Sequence, residues 1–405
     1  MIHDVSFPRF PRERILRWSV VIGVAWVVLA IIGWLFQPDK FYQAYLMSWL
    51  FWLGVSLGAL AVVMLHHLMG GEWGYMVRRL GEHAAMVLPL LIVLFIPIVI
   101  GMHSLFIWDR PEVMAHDAVL RHARPYLNEP FFLLRAILYA AIWLAMAWYL
   151  RSASLRHDQT GDPSTALYMH NVSAGGMAIY FVTMSLASVD WMMSRDPRWF
   201  STVFGFVAIA GQAISGLCVL LVFFTLMINT PPFKEEARED HLNDLANILL
   251  TFVILWAYMS FVQLLVIWMG NKQDEIPWYV RRLSNGWWWI GLILVVFHFF
   301  VPFIILLMRE LKRKAPMMLA LALALIAMRM LDLFWQTGPS GEDPLPHLGR
   351  TLNWMDFVFP VGMGGLWVAM FLWLSIDRPL MHGGDLVPIA KPPSAGLSTQ
   401  TPSIA

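Results

Sequence analysis

The sequence has one cysteine, Cys218, and few charges: Asp, Glu, Lys and Arg make up 14% of its 405 residues. A single cysteine excludes an internal disulfide, an iron–sulfur cluster held by this chain's own thiolates and a C-x-x-C-H haem attachment. Soluble domains carry roughly 25% charged residues. This chain is instead 59% hydrophobic with a mean hydropathy of +0.62, too apolar for a water-soluble core. No glycine-rich phosphate loop stands between a strand and a helix, and there is no H-E-x-x-H pair, so nothing supports a nucleotide-driven or zinc-hydrolytic enzyme. The basic N-terminal stretch lacks a small-residue cleavage site and reads as a retained tail. Alternating ten-residue strands, the mark of a membrane β-barrel, are also missing.

What is present is a series of long apolar runs. A membrane-crossing helix needs about 20 such residues. Ten segments qualify: 18–36, 42–68, 84–105, 131–150, 172–193, 200–228, 242–269, 286–308, 315–335 and 354–376. The expected fold is an all-α integral membrane protein of ten spans. An even count puts both termini on one side. Loops on that side carry 16 Lys and Arg against 10 on the other, and "RELKRK" (309–314) is the strongest marker. The positive-inside rule then makes both termini cytoplasmic. Gly54 with Gly58, Gly211 with Gly216, and Gly362, Gly364 and Gly365 mark expected close helix contacts. Pro89, Pro97 and Pro302 lie inside spans and are expected to kink them. The tail from about 378, rich in Pro, Ser and Gly, is expected to be disordered.

Ionisable residues inside spans are costly and point to function. By depth, Arg135, Asp190, Arg329, Asp332 and Asp356 all fall in the outer membrane half, away from the termini, and form one candidate quinone or proton-exit site. Arg329 and Asp332 are three apart on one helix face and are expected to pair. Asp190 closes the fifth span just before the polar knot "SRDPR" (194–198), and pairing with an arginine of another helix would explain a carboxylate there. A polar series running inward (His66, His67, His170, Asp244, Tyr258, Gln263 and His298) is the candidate proton path. The plain alternative for most of these residues is structural: ion pairs that lock helices, and solvated span ends. A b-type haem is unsupported, because His298 has no histidine partner at its depth. No metal site is expected.

Several stretches together carry a resemblance: "SVDWMMSRDPRWFSTVFG" (188–205), "LTFVILWAY" (250–258), "FVQLLVIWMGN" (261–271), "WYVRR" (278–282) and "HFFVPFIILLMRELKR" (298–313). They resemble the NrfD/polysulfide-reductase-like membrane subunits, most closely the second such subunit of alternative complex III, a bacterial quinol:cytochrome c oxidoreductase. The resemblance covers about 40 to 375. It implies two four-helix bundles, spans two to five and six to nine, flanked by spans one and ten. The corresponding parts are 1–40 (tail and first span), 41–195 and 196–336 (the bundles), 337–377 (outer loop and tenth span) and 378–405 (tail).

The resemblance further implies a subunit of the bacterial cytoplasmic membrane that is not catalytic alone and works in respiratory electron transfer. Quinone is the implied small ligand. Haem c and iron–sulfur clusters are implied in partners: a multihaem cytochrome c, an iron–sulfur protein and a sister NrfD-like subunit. That sister usually carries a histidine six residues before the aspartate; here the position is Met184. On this comparison Asp190 is the remnant of a quinone-type site, reused structurally or for proton exit. The other readings are the anchor of a different NrfD-type reductase and a secondary transporter, which would need matched broken helices at the midplane.

Overall fold

With no water in a bilayer core, each span must satisfy its own backbone groups, and helices do this within one segment. The computed structural model describes residues 10–284, 286–338, 352–376 and 380–381, and no strand occurs among them. Among the described residues, ten helices are long and apolar enough to cross a membrane: α1 Arg12–Phe36, α2 Pro38–Met69, α3 Glu72–Ile100, α4 Glu129–Thr160, α5 Pro163–Arg195, α6 Phe204–Met227, α7 Glu239–Gly270, α8 Trp287–Leu307, α9 Ala315–Thr337 and α10 Met355–Leu374. The protein is an all-α, multi-pass membrane protein. Apart from 380–381, the tail from 378 lies outside the described residues, as does most of the 337–353 loop.

α2 and α6 form the centre. α2 is buried throughout its apolar length, and it packs on α6, α3, α5 and α10. α3, α4 and α5 complete one bundle around α2, and α7, α8 and α9 complete the other around α6. α1 and α10 pair with each other and flank α2. The central contact depends on glycine. A Cβ on Gly58 would lie 1.8 Å from the Gln212 carbonyl oxygen, and one on Gly216 would lie 2.4 Å from the Ala59 nitrogen. The two backbones therefore touch, as expected for small residues at a membrane helix crossing.

Proline breaks are repaired by neighbouring side chains. α3 carries Pro89 and Pro97, is interrupted by turns at 86–87 and 94–95 and ends at a turn at 101. Trp49 Nε1 donates to the Leu91 carbonyl at 2.8 Å and Tyr45 Oη to the Leu94 carbonyl at 2.8 Å, both from α2. On the other flank, Trp52 Nε1 donates to the Pro360 carbonyl of α10 at 2.7 Å. α8 widens to a π-turn over Leu294–Phe300, just ahead of Pro302, which has no N–H to offer the His298 carbonyl four residues back.

The third span differs from its sequence-based bounds. It begins at Glu72 rather than 84, and the added turns bury Arg78, Arg79, Glu82 and His83. The polar turns are tolerated because their charges pair internally: Arg79 bridges Glu82 and Asp158, and Arg78 reaches Glu82. Both ends of the described chain lie at one face. The Phe10 amide donates to Thr230 Oγ1 in the α6–α7 loop at 3.2 Å, and an Arg12 guanidinium nitrogen donates to the Leu372 carbonyl at the end of α10 at 3.2 Å.

Candidate functional site

Asp190 sits at the end of α5, 1% exposed, and its partner comes from α4. Arg135 grips it with two parallel bonds, Nε to Oδ2 at 2.9 Å and a terminal nitrogen to Oδ1 at 2.8 Å. Tyr139, one turn beyond Arg135 on the same helix face, donates its hydroxyl to Oδ2 at 2.9 Å. The guanidinium in turn lies over the Tyr126 and Phe131 rings, 3.9 and 4.3 Å from their centroids. A planar fork on a carboxylate, with aromatic faces behind it, is a geometry arginine fits and lysine does not. Both carboxylate oxygens are engaged. Met184 does not take part: its sulfur accepts from Gln212 Nε2 at 3.1 Å, at the contact between α5 and α6.

The arginines that follow Asp190 in sequence go elsewhere. Arg195 donates to the Thr337 carbonyl at 2.6 Å, at the outer end of α9. Arg282, on the short helix Ile276–Leu283 between α7 and α8, reaches the same helix end, donating to Trp335 O at 3.0 Å and Gln336 O at 2.5 Å. Its guanidinium also stacks 3.5 Å from the Trp278 ring centroid. These are the orphan carbonyls of a helix C-terminus, where a cation also answers the helix dipole. Arg198 pairs with Asp117 in the α3–α4 connection at 2.7 Å, and Asp196 pairs with Arg281. The polar knot therefore staples the end of α5 to α9 and to the outer loops.

The second charged cluster lies in the other bundle. Asp332 is 1% exposed on α9. It pairs with Arg329 one turn back and accepts from Trp256 Nε1 of α7 at 3.0 Å and from Gln336 Nε2 at 2.8 Å. The Arg329 guanidinium lies against Gly211 of α6, where a Cβ would come within 2.2 Å of its carbon. His298, in the π-turn of α8, has its ring centroid 4.0 Å from that of Trp256. It is fully buried, and neither ring nitrogen has a hydrogen-bond partner.

Asp332 also lines a cavity of about 710 Å³ in the outer half of the second bundle. α7, α8 and α9 form its walls, and Trp278 and Tyr279 of the Ile276–Leu283 helix lie at its outer end. Its sides are overwhelmingly apolar and aromatic. Phe261, Trp288 and Leu292, which also line it, are exposed on the surface of the bundle. Three polar atoms in its lining are buried without a partner: Gln263 Oε1, Gln336 Oε1 and Trp335 Nε1. Gln263 turns its other end to the Tyr279 hydroxyl, Nε2 to Oη at 3.3 Å. Burial pushes the Tyr279 phenol up to about 12, which keeps it a neutral hydroxyl.

The expected outer set is thus two separate ion pairs, one in each bundle. Asp356 stands apart from both. It is buried at the start of α10, where Oδ2 accepts from the Asn353 amide at 2.9 Å. The inner series separates as well. His67 Nδ1 lies 2.9 Å from Ser173 Oγ, and His170 Nδ1 lies 3.0 Å from the His67 carbonyl oxygen, so α2 and α5 are joined at the terminal-side face. His66 is buried with its ring edge-on to Trp73. Asp244 takes a half-buried position beside Asn243 near the start of α7. Tyr258 is 59% exposed on the cavity's outer wall, whereas Gln263 and His298 are interior.

Tyr139, Trp256, Trp335 and Gln336 were not among the residues singled out by sequence. Tyr139 and Gln336 each follow a chosen charge, Arg135 or Asp332, by four residues, a spacing that puts them on its face. Trp256 and Trp335 carry no such mark, since tryptophan is common at membrane interfaces. Among the described residues, no group of three His, Cys, Asp or Glu is placed to hold a metal ion. No family model and no curated protein matches the chain.

Proposed function

We propose that this chain is a membrane-core subunit of a respiratory quinol:cytochrome c oxidoreductase of the alternative-complex-III kind. It resides in a bacterial cytoplasmic membrane with both termini on the cytoplasmic side. It holds no redox cofactor of its own; haem c and iron–sulfur clusters belong to a multihaem cytochrome c and an iron–sulfur protein, beside a sister NrfD-like subunit. The reading begins from the sequence resemblance. The structural observation that carries it is the placement of Asp332. This buried carboxylate, with its own arginine and two further donors, borders an apolar cavity in the outer membrane half.

The chemistry fits that placement. A quinol is lipid-soluble, reaches its site from the bilayer and releases two protons when oxidised, so polar acceptors must stand where an apolar path ends. Asp190, whose oxygens are occupied as fully as those of Asp332, does not line that cavity. In this reading the first bundle is a locked scaffold, and any proton traffic through the chain runs in the second. The test is isolation of the full chain by an affinity tag from its native membranes in mild detergent. Co-isolation of a multihaem cytochrome c, an iron–sulfur protein and a homologous membrane subunit is the expected result. Recovery of the chain alone, or with non-redox partners, contradicts it.

A further inference from the structure

α1 enters the membrane with a surplus of positive charge that its own packing does not use. Arg12, Arg14 and Arg17 lie in its first two turns, with one carboxylate, Glu13, among them. Cations at the N-terminal end of a helix oppose its dipole, so they do not stand there to stabilise α1. Arg12 is engaged: its guanidinium donates to the Leu372 and Ile376 carbonyls at the end of α10, at 3.2 and 3.5 Å. Arg17 reaches Glu13 only at 3.7 Å, and the two side chains are 82% and 88% exposed, a pairing worth little in water. Arg14 is exposed and has no carboxylate partner among the described residues.

Beyond these residues the same flank turns apolar. Arg14, Arg17, Trp18, Val21, Val24 and Val28 recur at spacings of three and four, on one side of the helix, and all are exposed. α1 turns its other side, with Gly23, Trp26 and Ala30, to α10 and α2. A helix of 25 residues is about 37 Å long and the hydrocarbon core is about 30 Å thick, so its first turns project into the headgroup layer, with Trp18 at the boundary. There Arg12, Glu13, Arg14, Arg17, Trp18 and Val21 line a surface hollow of about 820 Å³.

We propose that this hollow is a binding site for an anionic glycerophospholipid, its phosphate at Arg14 and Arg17 and an acyl chain along Val21, Val24 and Val28. Charge complementarity selects the occupant. The lining carries three guanidinium groups against one carboxylate, and the guanidinium fork matches phosphate oxygens. Basic clusters at the membrane edge attract anionic headgroups in this way. Phosphatidylglycerol brings a net negative charge; phosphatidylethanolamine adds an ammonium that the arginines repel. The valine stripe favours a lipid over free phosphate, which needs no apolar wall. The site stands whether or not the function proposed above does.

Photolabelling of the full chain, with any partners that stay bound, tests the assignment. The vesicles are phosphatidylcholine doped with a phosphatidylglycerol that carries a diazirine near the head of one acyl chain. The control probe is a phosphatidylcholine with the same diazirine. The phosphatidylglycerol probe is expected to mark residues 17–24 well above the control. Excess unlabelled phosphatidylglycerol should remove the marking, and inorganic phosphate should not. Arg14→Gln with Arg17→Gln should cut it about tenfold. The same variant should keep its melting temperature in detergent, since both side chains are exposed. Glu13→Gln removes the one opposing charge and should raise the marking.

Equal marking by the two probes would overturn the proposal and leave an ordinary boundary-lipid surface. Marking indifferent to the double substitution would overturn it too. Displacement by inorganic phosphate would make the hollow a free-anion site instead, and a hollow left unmarked because a partner covers α1 would also contradict the assignment.

Discussion

At Asp190, three hydrogen bonds and one cation neutralise a carboxylate that would otherwise be costly at the edge of a bilayer. The value of such a pair shows when one half is removed. Asp190→Asn leaves the Arg135 guanidinium buried without its counter-charge, a loss of about 3–5 kcal/mol for broken buried pairs. The expected outcome is a clearly lower melting temperature in detergent, with much of the loss recovered in the double variant Asp190→Leu with Arg135→Leu. An unchanged melting temperature for Asp190→Asn would show that the pair does not lock α4 to α5. The pairing of Arg329 with Asp332 was legible from their spacing alone. The partner of Asp190 was not, because the nearby Arg195 and Arg198 compete for it on paper, and only the tight turn that closes α5 carries them away to Thr337 and Asp117. The orphan atoms of Gln263, Gln336 and Trp335 were illegible for a related reason: a lone polar residue in a span reads the same whether its partner is a neighbouring helix or a ligand.

At the scale of elements, the apolar runs located the ten spans because hydrophobic length is a strong signal in a bilayer. The signal failed at the start of α3, where Arg78, Arg79 and Glu82 look like a loop and are buried by mutual pairing. The α2–α6 crossing was visible in its glycines, and it yields a clear test. Gly58→Ala places a methyl group 1.8 Å from the Gln212 carbonyl oxygen, so the helices must separate; Gly175→Ala meets nothing within 4 Å. Purified yield and melting temperature should fall sharply for the first and stay unchanged for the second. Equal tolerance of both would mean that the central helices do not touch there.

The outer staple between Arg198 and Asp117 has a pH signature. The Arg198 hydrogen bond is the first cause holding the Asp117 carboxyl below its usual range, and the Val119 and Leu120 amides assist. A lowered folded value means that the stabilisation is complete above the ordinary aspartate value of about 3.9 and is lost as pH falls through the folded one. Hydrogen exchange of Val119 and Leu120, corrected for intrinsic rates, should stay flat from pH 7 to about 5 and rise only below about 4. A rise already between 7 and 5 would contradict that sign.

For the whole molecule, alternation of the ten helices puts the described ends and the 309–314 loop at one face and the Ile276–Leu283 helix at the other. Cys218 is buried and should stay silent to thiol reagents. An impermeant maleimide added to intact cells should therefore label Lys272→Cys and Arg121→Cys but not Arg309→Cys. The opposite pattern would invert the orientation drawn from the positive-inside rule. The all-helical class and the positions of the spans follow from where apolar lengths fall along the chain, which is why sequence could state them in advance. Which polar groups meet across helices depends on rotations that sequence does not display.

The most direct test of the central claim is quinol-driven reduction of cytochrome c in native membranes, with and without this chain. Deletion should abolish the reaction and the full-length chain should restore it, whereas Asp190→Leu with Arg135→Leu should retain much of it because that pair is structural. Membranes lacking the chain that still reduce cytochrome c at the wild-type rate would contradict the account.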